Sequence, residues 1–459
     1  MAAKVKDMTT GRPFSLILKF SLPLMLGNLL QQTYSLTDAA IVGNYIDINA
    51  LGAIGASTSV MFFILGFCNG CGSGFAIPIA QKFGAKDYSL MRCFVNNSLK
   101  ISVVISLILT VITALMCRQI LHWLNTPEEI FEGAYMYLLI TFLGIPATFF
   151  YNLLSAIIRA LGDSKTPFYF LIISTVLNIG LDFLFILGLN FGVGGAALAT
   201  LTAQAVSVIL CWFYMQKNFS ILKSEPFEKQ LNRRYVGILL NAGVPMGLQF
   251  SITAIGSMML QNANNSLGTV CVAAFTTAMR IKMFFMCVLD NLGIAMATYC
   301  GQNYGAKKTS RILTGIKDSM IMMAVYSVVM FFVQWFFARE MGTWFMDSSE
   351  VQVLDNTELF LRISVSFYLA LGALAILRCS IQGVGYTKLS MFSGVSEMIA
   401  RVLISLFIVP KFGFLGVCFG DPMAWCAADL FLIPAFIGVY KKITANSFSN
   451  DLNEHKSII

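Results

Sequence analysis

Charge is scarce in this chain. Asp, Glu, Lys and Arg make up 12% of its 459 residues, about half the share of about 25% that soluble domains carry. So few ionic side chains cannot cover the surface of a soluble fold, and a disordered chain would need more charge and less apolar content. Histidine is scarcer still. His122 and His455 stand alone, too few for a histidine-based metal site. The eleven cysteines are odd in number and lie mostly inside apolar runs, which does not fit a disulfide framework. Cys68 and Cys71 form a CxxC with no further ligands and read as small residues on a packed helix. Enzyme signatures are missing too. Gly162-Asp163-Ser164-Lys165-Thr166 lacks the spacing of a phosphate loop. Gly70, Gly72 and Gly74 fall in an apolar run and read as helix-packing residues. No catalytic constellation is present, and the chain reads as a non-enzyme that needs no cofactor.

What the chain has in excess is apolar length. Apolar residues make up 57% of it, and its mean hydropathy is +0.75. They run in long blocks rather than in the alternation of a membrane barrel, so the spans are helices. Cutting at charged, Gly, Pro and Asn clusters gives twelve blocks: 14–44, 50–80, 91–116, 129–158, 166–190, 193–216, 236–263, 269–304, 311–338, 356–381, 388–410 and 413–440. The first is too long for a signal peptide and stays as a span. One set of connecting loops carries 21 Lys and Arg residues and the alternate set three, Arg118, Arg339 and Lys411. By the positive-inside rule both termini face the cytoplasm of a multi-pass plasma-membrane protein. The net charge of +8 is thereby topological, and nucleic acid drops out as a partner.

The chain also repeats itself. Ala80-Gln81-Lys82-Phe83-Gly84-Ala85-Lys86 recurs as Gly301-Gln302-Asn303-Tyr304-Gly305-Ala306-Lys307, 221 residues later. Pro23 matches Pro245, Gly162 and Lys165 match Gly385 and Lys388, and Phe191-Gly192 with Gly195 match Phe412-Gly413 with Gly416. Four landmarks in one order at nearly one offset define two homologous six-helix lobes. The reading is a first lobe at 1–216, a cytoplasmic linker at 217–235, a second lobe at 236–440 and a tail at 441–459. Six is even, so the lobes share an orientation and form a parallel pseudo-twofold repeat, a plan typical of transporters.

Polar groups inside such spans are costly enough to be functional candidates. Asn28, Gln31, Ser35 and Asp38 recur at three- and four-residue steps on one face of the first span. In the fifth span Asn178 and Asp182 stand one turn apart, with Asn152 and Thr200 as further oxygen-bearing groups. A carboxylate in a poorly hydrated cavity can exchange a proton near neutral pH, and the same oxygens suit a small hard cation; a polar cluster that only fixes packing is the bland alternative. Met286 and Phe149 are candidates to line a substrate cavity, though packing suits either better. The second lobe differs: Leu260 takes the place of Asp38, and Glu397 and Arg401 are spaced for an i,i+4 ion pair. Asp290, near Arg280 and Lys282, stays open between pairing and facing a cavity, and Asp429 is equally open.

These residues resemble the multidrug and toxic compound extrusion (MATE) transporters, bacterial drug-efflux branch. The resemblance rests on Pro23 followed by Asp38-Ala39-Ala40-Ile41-Val42-Gly43, on Gly301-Gln302-Asn303-Tyr304-Gly305-Ala306, on Arg159-Ala160-Leu161-Gly162-Asp163-Ser164-Lys165-Thr166-Pro167, and on Asn178-Ile179-Gly180-Leu181-Asp182. It implies an all-α, V-shaped integral membrane transporter of twelve helices that exports organic, often cationic, drugs in antiport with H+ or Na+. The family's functional carboxylates map onto Asp38 and Asp182, the possible Na+ ligands, with Asn152, Asn178 and Thr200 around them. Pro23 matches a first-helix proline associated with bending. The seventh-helix acid of another branch is missing. A monomer is expected, and a lipid or lipid-linked glycan flippase of the same superfamily is the alternative, with a more basic cavity as its expected mark.

Overall fold

The computed structural model describes residues 6–45, 48–124 and 126–456; the side chains of 34–53, 56 and 446–456 lie outside that description. The fold is all-helical. In chain order the helices are α1 (Pro13–Tyr45), α2 (Ile48–Gly84), α3 (Tyr88–Trp123), α4 (Glu128–Leu143), α5 (Ile145–Ala160), α6 (Lys165–Asp182), α7 (Gly192–Asn218), α8 (Arg233–Asn265), α9 (Thr269–Gly305) and α10 (Thr309–Gly342). There follow α11 (Val351–Ser366), α12 (Tyr368–Val384), α13 (Thr387–Leu403), the short α14 (Val409–Phe412) and α15 (Phe414–Cys418), and α16 (Gly420–Lys456). Among the described residues, ten stretches are long and apolar enough to cross a membrane. Two bent pairs, α4 with α5 at 46° and α11 with α12 at 51°, bring the number to twelve when each is one span. The bend before α5 falls at Gly144, with Pro146 in the first turn that follows, where a missing N–H costs nothing.

Helix α3 shows what solvent these helices are built for. Ser98, Ser102, Ser106 and Thr113 on one face are buried, while Val104 (57% exposed), Ile108, Val111 and Leu115 (81%) on the other are open. In water that distribution would be inverted. In a bilayer the apolar face meets acyl chains and the hydroxyls turn inward, where Ser98 and Ser106 donate to backbone carbonyls one turn back.

The repeat is visible in backbone detail. Lys86 and Lys307, 221 residues apart, both hold a left-handed φ, of 60° and 57°. Each closes its helix with the same two bonds: Lys86 N–H to Phe83 O and Asp87 N–H to Lys82 O, then Lys307 N–H to Tyr304 O and Lys308 N–H to Asn303 O. This is the Schellman ending. A π-helical stretch follows both α6 (Phe183–Gly188) and α13 (Ile404–Ile408). Glycines with positive φ recur too, Gly162 with Gly385 and Gly192 with Gly413. Asp163 accepts from the amides of Lys165 and Thr166, at 2.9 and 3.1 Å, and from the Thr166 hydroxyl. The amides that an anion would need are thereby taken, so the segment is a helix start rather than a phosphate loop.

The chain forms two compact units, one of Met1–Asp7 with Leu22–Ser251 and one of Met8–Ser21 with Ile252–Ile459. Both α1 and α8 are divided between them. The division falls beside Pro23 in α1 and six residues past Pro245 in α8. Within the first unit the early part of α8 crosses α2 at two Gly-x-x-x-Gly pairs: a Cβ on Gly70 would lie 2.5 Å from Met246 O, and one on Gly74 2.5 Å from the Cα of Gly243. Nothing larger than glycine fits, as small-residue crossings in membranes require. Gly72 approaches the backbone of Leu153 instead.

The linker between the repeats is gripped by the start of α3. Glu228 is fully buried. It accepts from Arg92 Nε and Nη2, both at 2.7 Å, from the Ser89 hydroxyl and from its own Glu225 amide. Asn96 donates to Ser224 Oγ and Glu228 O, while Asn97 donates to Gln230 O and accepts from the Asn232 amide. The Arg92 guanidinium, with the other donors, pulls the Glu228 carboxyl from its ordinary 4.5 down to about 2.

Two stability outcomes are expected. A Cβ at Gly162 would meet Lys6 O at 1.9 Å on top of a φ of 84°, whereas Gly192 has a φ of 55° and open space around it. Gly192→Ala should therefore cost about 1–2 kcal/mol of conformational strain, and Gly162→Ala distinctly more; melting of the two purified variants checks the order. For Glu228 a depressed carboxyl stabilises the fold above its ordinary value, and that contribution is lost as pH falls toward about 2. The melting-temperature gap between wild type and Glu228→Gln should be full at pH 7 and shrink steadily below pH of about 4.5.

Candidate functional site

Helix α6 carries an inward polar stripe. Thr175, Asn178 and Asp182 share one face by their three- and four-residue spacing, and all three are buried, Asp182 completely. The opposite face, with Tyr169, Ile173 and Val176, is exposed. A carboxyl and an amide shut away from water in a membrane helix are costly unless partnered. Asn178 Nδ2 donates to Thr200 Oγ1 on α7 at 3.3 Å. Asp182 is the last residue of α6, and the π-helical stretch begins at the next one. Such a local widening of the helix is common where a side chain has a task beyond packing.

The remaining sequence candidates are spread over several elements. Asn152 on α5 and Asn28 on α1 are half-buried, Gln31 is exposed, and Pro23 is buried inside α1. Ser35 and Asp38 lie outside the described side chains. Met286 is half-buried on α9. Phe149 is fully buried in the apolar core of the first unit, its ring 6.4 Å from that of Phe75, which favours packing, the role that suited it better from the sequence. Its surface is spent on packing and does not line an open cavity. Leu260, which stands where the repeat would place a partner to Asp38, is buried against Gly420.

The second unit holds a different electrostatic device. Arg378 on α12 pairs with Glu397 on α13. Glu397 also meets Arg401 at 3.4 Å, Arg401 Nε donates to Asp421 Oδ1 at 2.8 Å, and Lys282 on α9 pairs with Asp421 at the head of α16. The Lys282 ammonium lies over the Phe360 and Trp425 rings at 5.2 and 5.8 Å. Five buried or nearly buried charges thus form one chain, each carboxylate held by two cations. The spacing of Glu397 and Arg401 foretold the middle link. The sequence did not pair Lys282, which stood near Asp290 on paper and meets Asp421 instead; 139 residues separate these partners, and no local pattern encodes that. Asp290 is exposed, and Asp429 is buried with its Oδ1 unbonded.

Among the described residues no group of three or more His, Cys, Asp or Glu side chains is placed to hold a metal ion. The site's resources are oxygen atoms on α6 and α7, suited to a proton or a small hard cation.

Comparison with known proteins agrees with this architecture. The MatE family model matches residues 23–184 and 245–407, two segments that begin at the paired prolines and end at the π-helical stretches. "Probable multidrug resistance protein YoeA" of Bacillus subtilis is 27% identical, over 92% of this chain and 93% of its own length. "Multidrug export protein MepA" of Staphylococcus aureus is 24% identical over 88% of this chain and 89% of its own. Among solved structures, an outward-facing multidrug resistance MATE family transporter of the MOP superfamily superposes with a TM-score of 0.89 at 22% identity, covering 96% of this chain and 99% of that one.

Removing one partner from a buried ion chain leaves the others uncompensated. Asp421→Asn takes the carboxylate from Lys282 and leaves Arg401 with Glu397 alone, and should cost about 3–5 kcal/mol. Asp355→Asn, which opens only the exposed pair with Arg339, should leave the melting temperature nearly unchanged. Melting curves of the two variants in detergent test the contrast.

Proposed function

The chain belongs to the MatE family, and from that membership we propose that it is a secondary active multidrug efflux transporter. It exports organic, often cationic, compounds across the bacterial plasma membrane in antiport with H+ or Na+. It works as a monomer with both termini in the cytoplasm and needs no cofactor. The observation that carries the coupling role is the complete burial of Asp182 beside the Asn178–Thr200 bond, on a helix otherwise built for lipid.

The mechanism is alternating access with competition. When the first-lobe carboxylates, Asp182 and Asp38, are ionised, they favour a cationic drug in the substrate cavity. Binding of H+ or Na+ neutralises them, α1 rearranges past Pro23, and the drug leaves. For this to do work, ion and drug must bias the two states differently. By their three- and four-residue spacing Asn28, Gln31 and Ser35 fall on the helical face of Asp38, and Asn152 adds an amide. Met286 offers a deformable apolar contact of the kind that suits varied substrates. A lipid-linked glycan flippase would call for a basic cavity to receive pyrophosphate, and the acidic first lobe argues against it.

Proteoliposomes loaded with a fluorescent organic cation, under separately imposed proton and sodium gradients, test this reading. One gradient should drive efflux. Asp182→Asn and Asp38→Asn should each bring it to the level of empty liposomes while the protein elutes as a folded monomer. Efflux indifferent to both gradients, or untouched in both variants, would sink the proposal.

A further inference from the structure

The residues ahead of α1 are held in an unusual way. Met8 is fully buried and Thr9 nearly so, although both lie outside any helix. Most of the bonds that hold them go to their main chain, with one from Lys308 Nζ to Thr9 Oγ1 at 3.4 Å. Met8 N–H donates to Gln302 Oε1 at 2.8 Å, and Met8 O accepts from Asn303 Nδ2 at 3.2 Å and Arg311 Nη2 at 3.5 Å. Thr9 O accepts from Lys308 Nζ at 2.9 Å, and Gly11 O from Arg311 Nη2 at 3.0 Å. Arg311 Nε also donates to Asn303 Oδ1 at 3.1 Å, while Asn303 Nδ2 bonds Tyr299 O at 2.8 Å. The amide of Asn303 is thus fixed from both ends with its N–H2 aimed at Met8. Gln302 and Asn303 are themselves fully buried.

We propose that Gln302, Asn303 and Arg311 are positioning residues that anchor the start of α1 to the second unit, so that movement of α1 is confined to the part beyond Pro23. The inference rests on the transport reading above and adds to it the groups that hold the moving helix. Three observations converge on it. Met8–Ser21 belong to the second unit and the rest of α1 to the first. Pro23 stands at that division and leaves Lys19 O without its intrahelical N–H donor, the cheapest place for a long helix to bend. And the arrangement occurs twice: ahead of α8, the main chain at Glu228, Gln230 and Asn232 is gripped by Asn96 and Asn97 at the start of α3, in the unit that also contains the first part of α8. The two grips use different side chains, so the repeat has kept the device and not merely the residues. A helix held at one end and weakened at a proline delivers its displacement beyond the proline, where Asn28 and Gln31 stand.

Hydrogen exchange followed by mass spectrometry on the full-length protein reads the anchor without any transport. The Met8 amide, the main-chain N–H that the anchor binds, should exchange about tenfold or more faster in the Gln302→Ala/Asn303→Ala double variant than in wild type, the worth of one to two hydrogen bonds. Arg311→Lys, which keeps a cation near Met8 O and Gly11 O, should restore part of the protection lost in Arg311→Ala. In wild type the protection should persist when a driving gradient and a substrate cation are supplied together. Per folded molecule, the double variant should lose most of its maximal efflux rate with its substrate KM changed less than about twofold. Free exchange of the Met8 amide in wild type would overturn the anchor, as would loss of its protection during turnover. So would an unchanged maximal rate in a double variant whose exchange has risen. Absence of transport by wild type would instead count against the transport reading, and the exchange measurements would still decide the anchor.

Discussion

Lipid offers a peptide group no hydrogen-bond partner. Every backbone N–H and C=O in the hydrocarbon must therefore be satisfied within the protein, and the rest of this structure follows from that constraint. It makes the spans helices and makes each interruption a place of interest. Pro23 and Pro245 remove donors from α1 and α8, Gly144 parts α4 from α5, and π-helical stretches follow α6 and α13. Side chains obey the same rule. Ser98 and Ser106 on α3 bond back to their own helix, which leaves Val104 and Leu115 free to face the acyl chains.

The features legible in the sequence are those that one segment can express alone. Hydropathy marked the spans. The repeat was readable because its landmarks, Pro23 with Pro245 and Gly162 with Gly385, are residues whose backbone role admits few substitutes. The Glu397–Arg401 link was readable because a helix brings i and i+4 together. Asn178 and Asp182 stood out through the cost of their burial. What escaped is pairing between distant segments: Lys282 with Asp421, Arg92 with Glu228, and Met8 with Gln302, the last 294 residues apart. For Phe149 the sequence preferred packing and kept a cavity wall open. An aromatic residue in an apolar helix has the same periodicity whether it lines a cavity or fills a core, and only three-dimensional packing against Phe75 separates the two.

The two repeats have diverged in electrostatics while keeping their geometry. In the second unit Glu397 and Asp421 each lie between two cations, so their charges are neutralised by fixed partners across α9, α12, α13 and α16. A carboxylate so held has little freedom to exchange its counter-ion. In the first unit Asp182 is fully buried on the face of α6 that also carries Asn178, which bonds Thr200 on α7. The second unit, by contrast, is cross-braced by charge between four of its helices.

Stiffening one unit has a mechanical consequence for a helix shared by both. If the first turns of α1 were free, a change at the acidic stripe of the first unit could be absorbed by the helix sliding or fraying at its start. The bonds that Gln302, Asn303, Lys308 and Arg311 make to Met8, Thr9 and Gly11 remove that freedom. Because those bonds address main-chain atoms, they set where the chain runs whatever side chains it carries. With the start fixed and Pro23 unable to donate, the least costly response left to α1 is to bend at the proline. An otherwise ordinary helix kink thereby becomes a defined hinge, and the anchor that defines it is built from the same Gly-Gln-Asn-Tyr-Gly-Ala segment that marks the second repeat in the sequence.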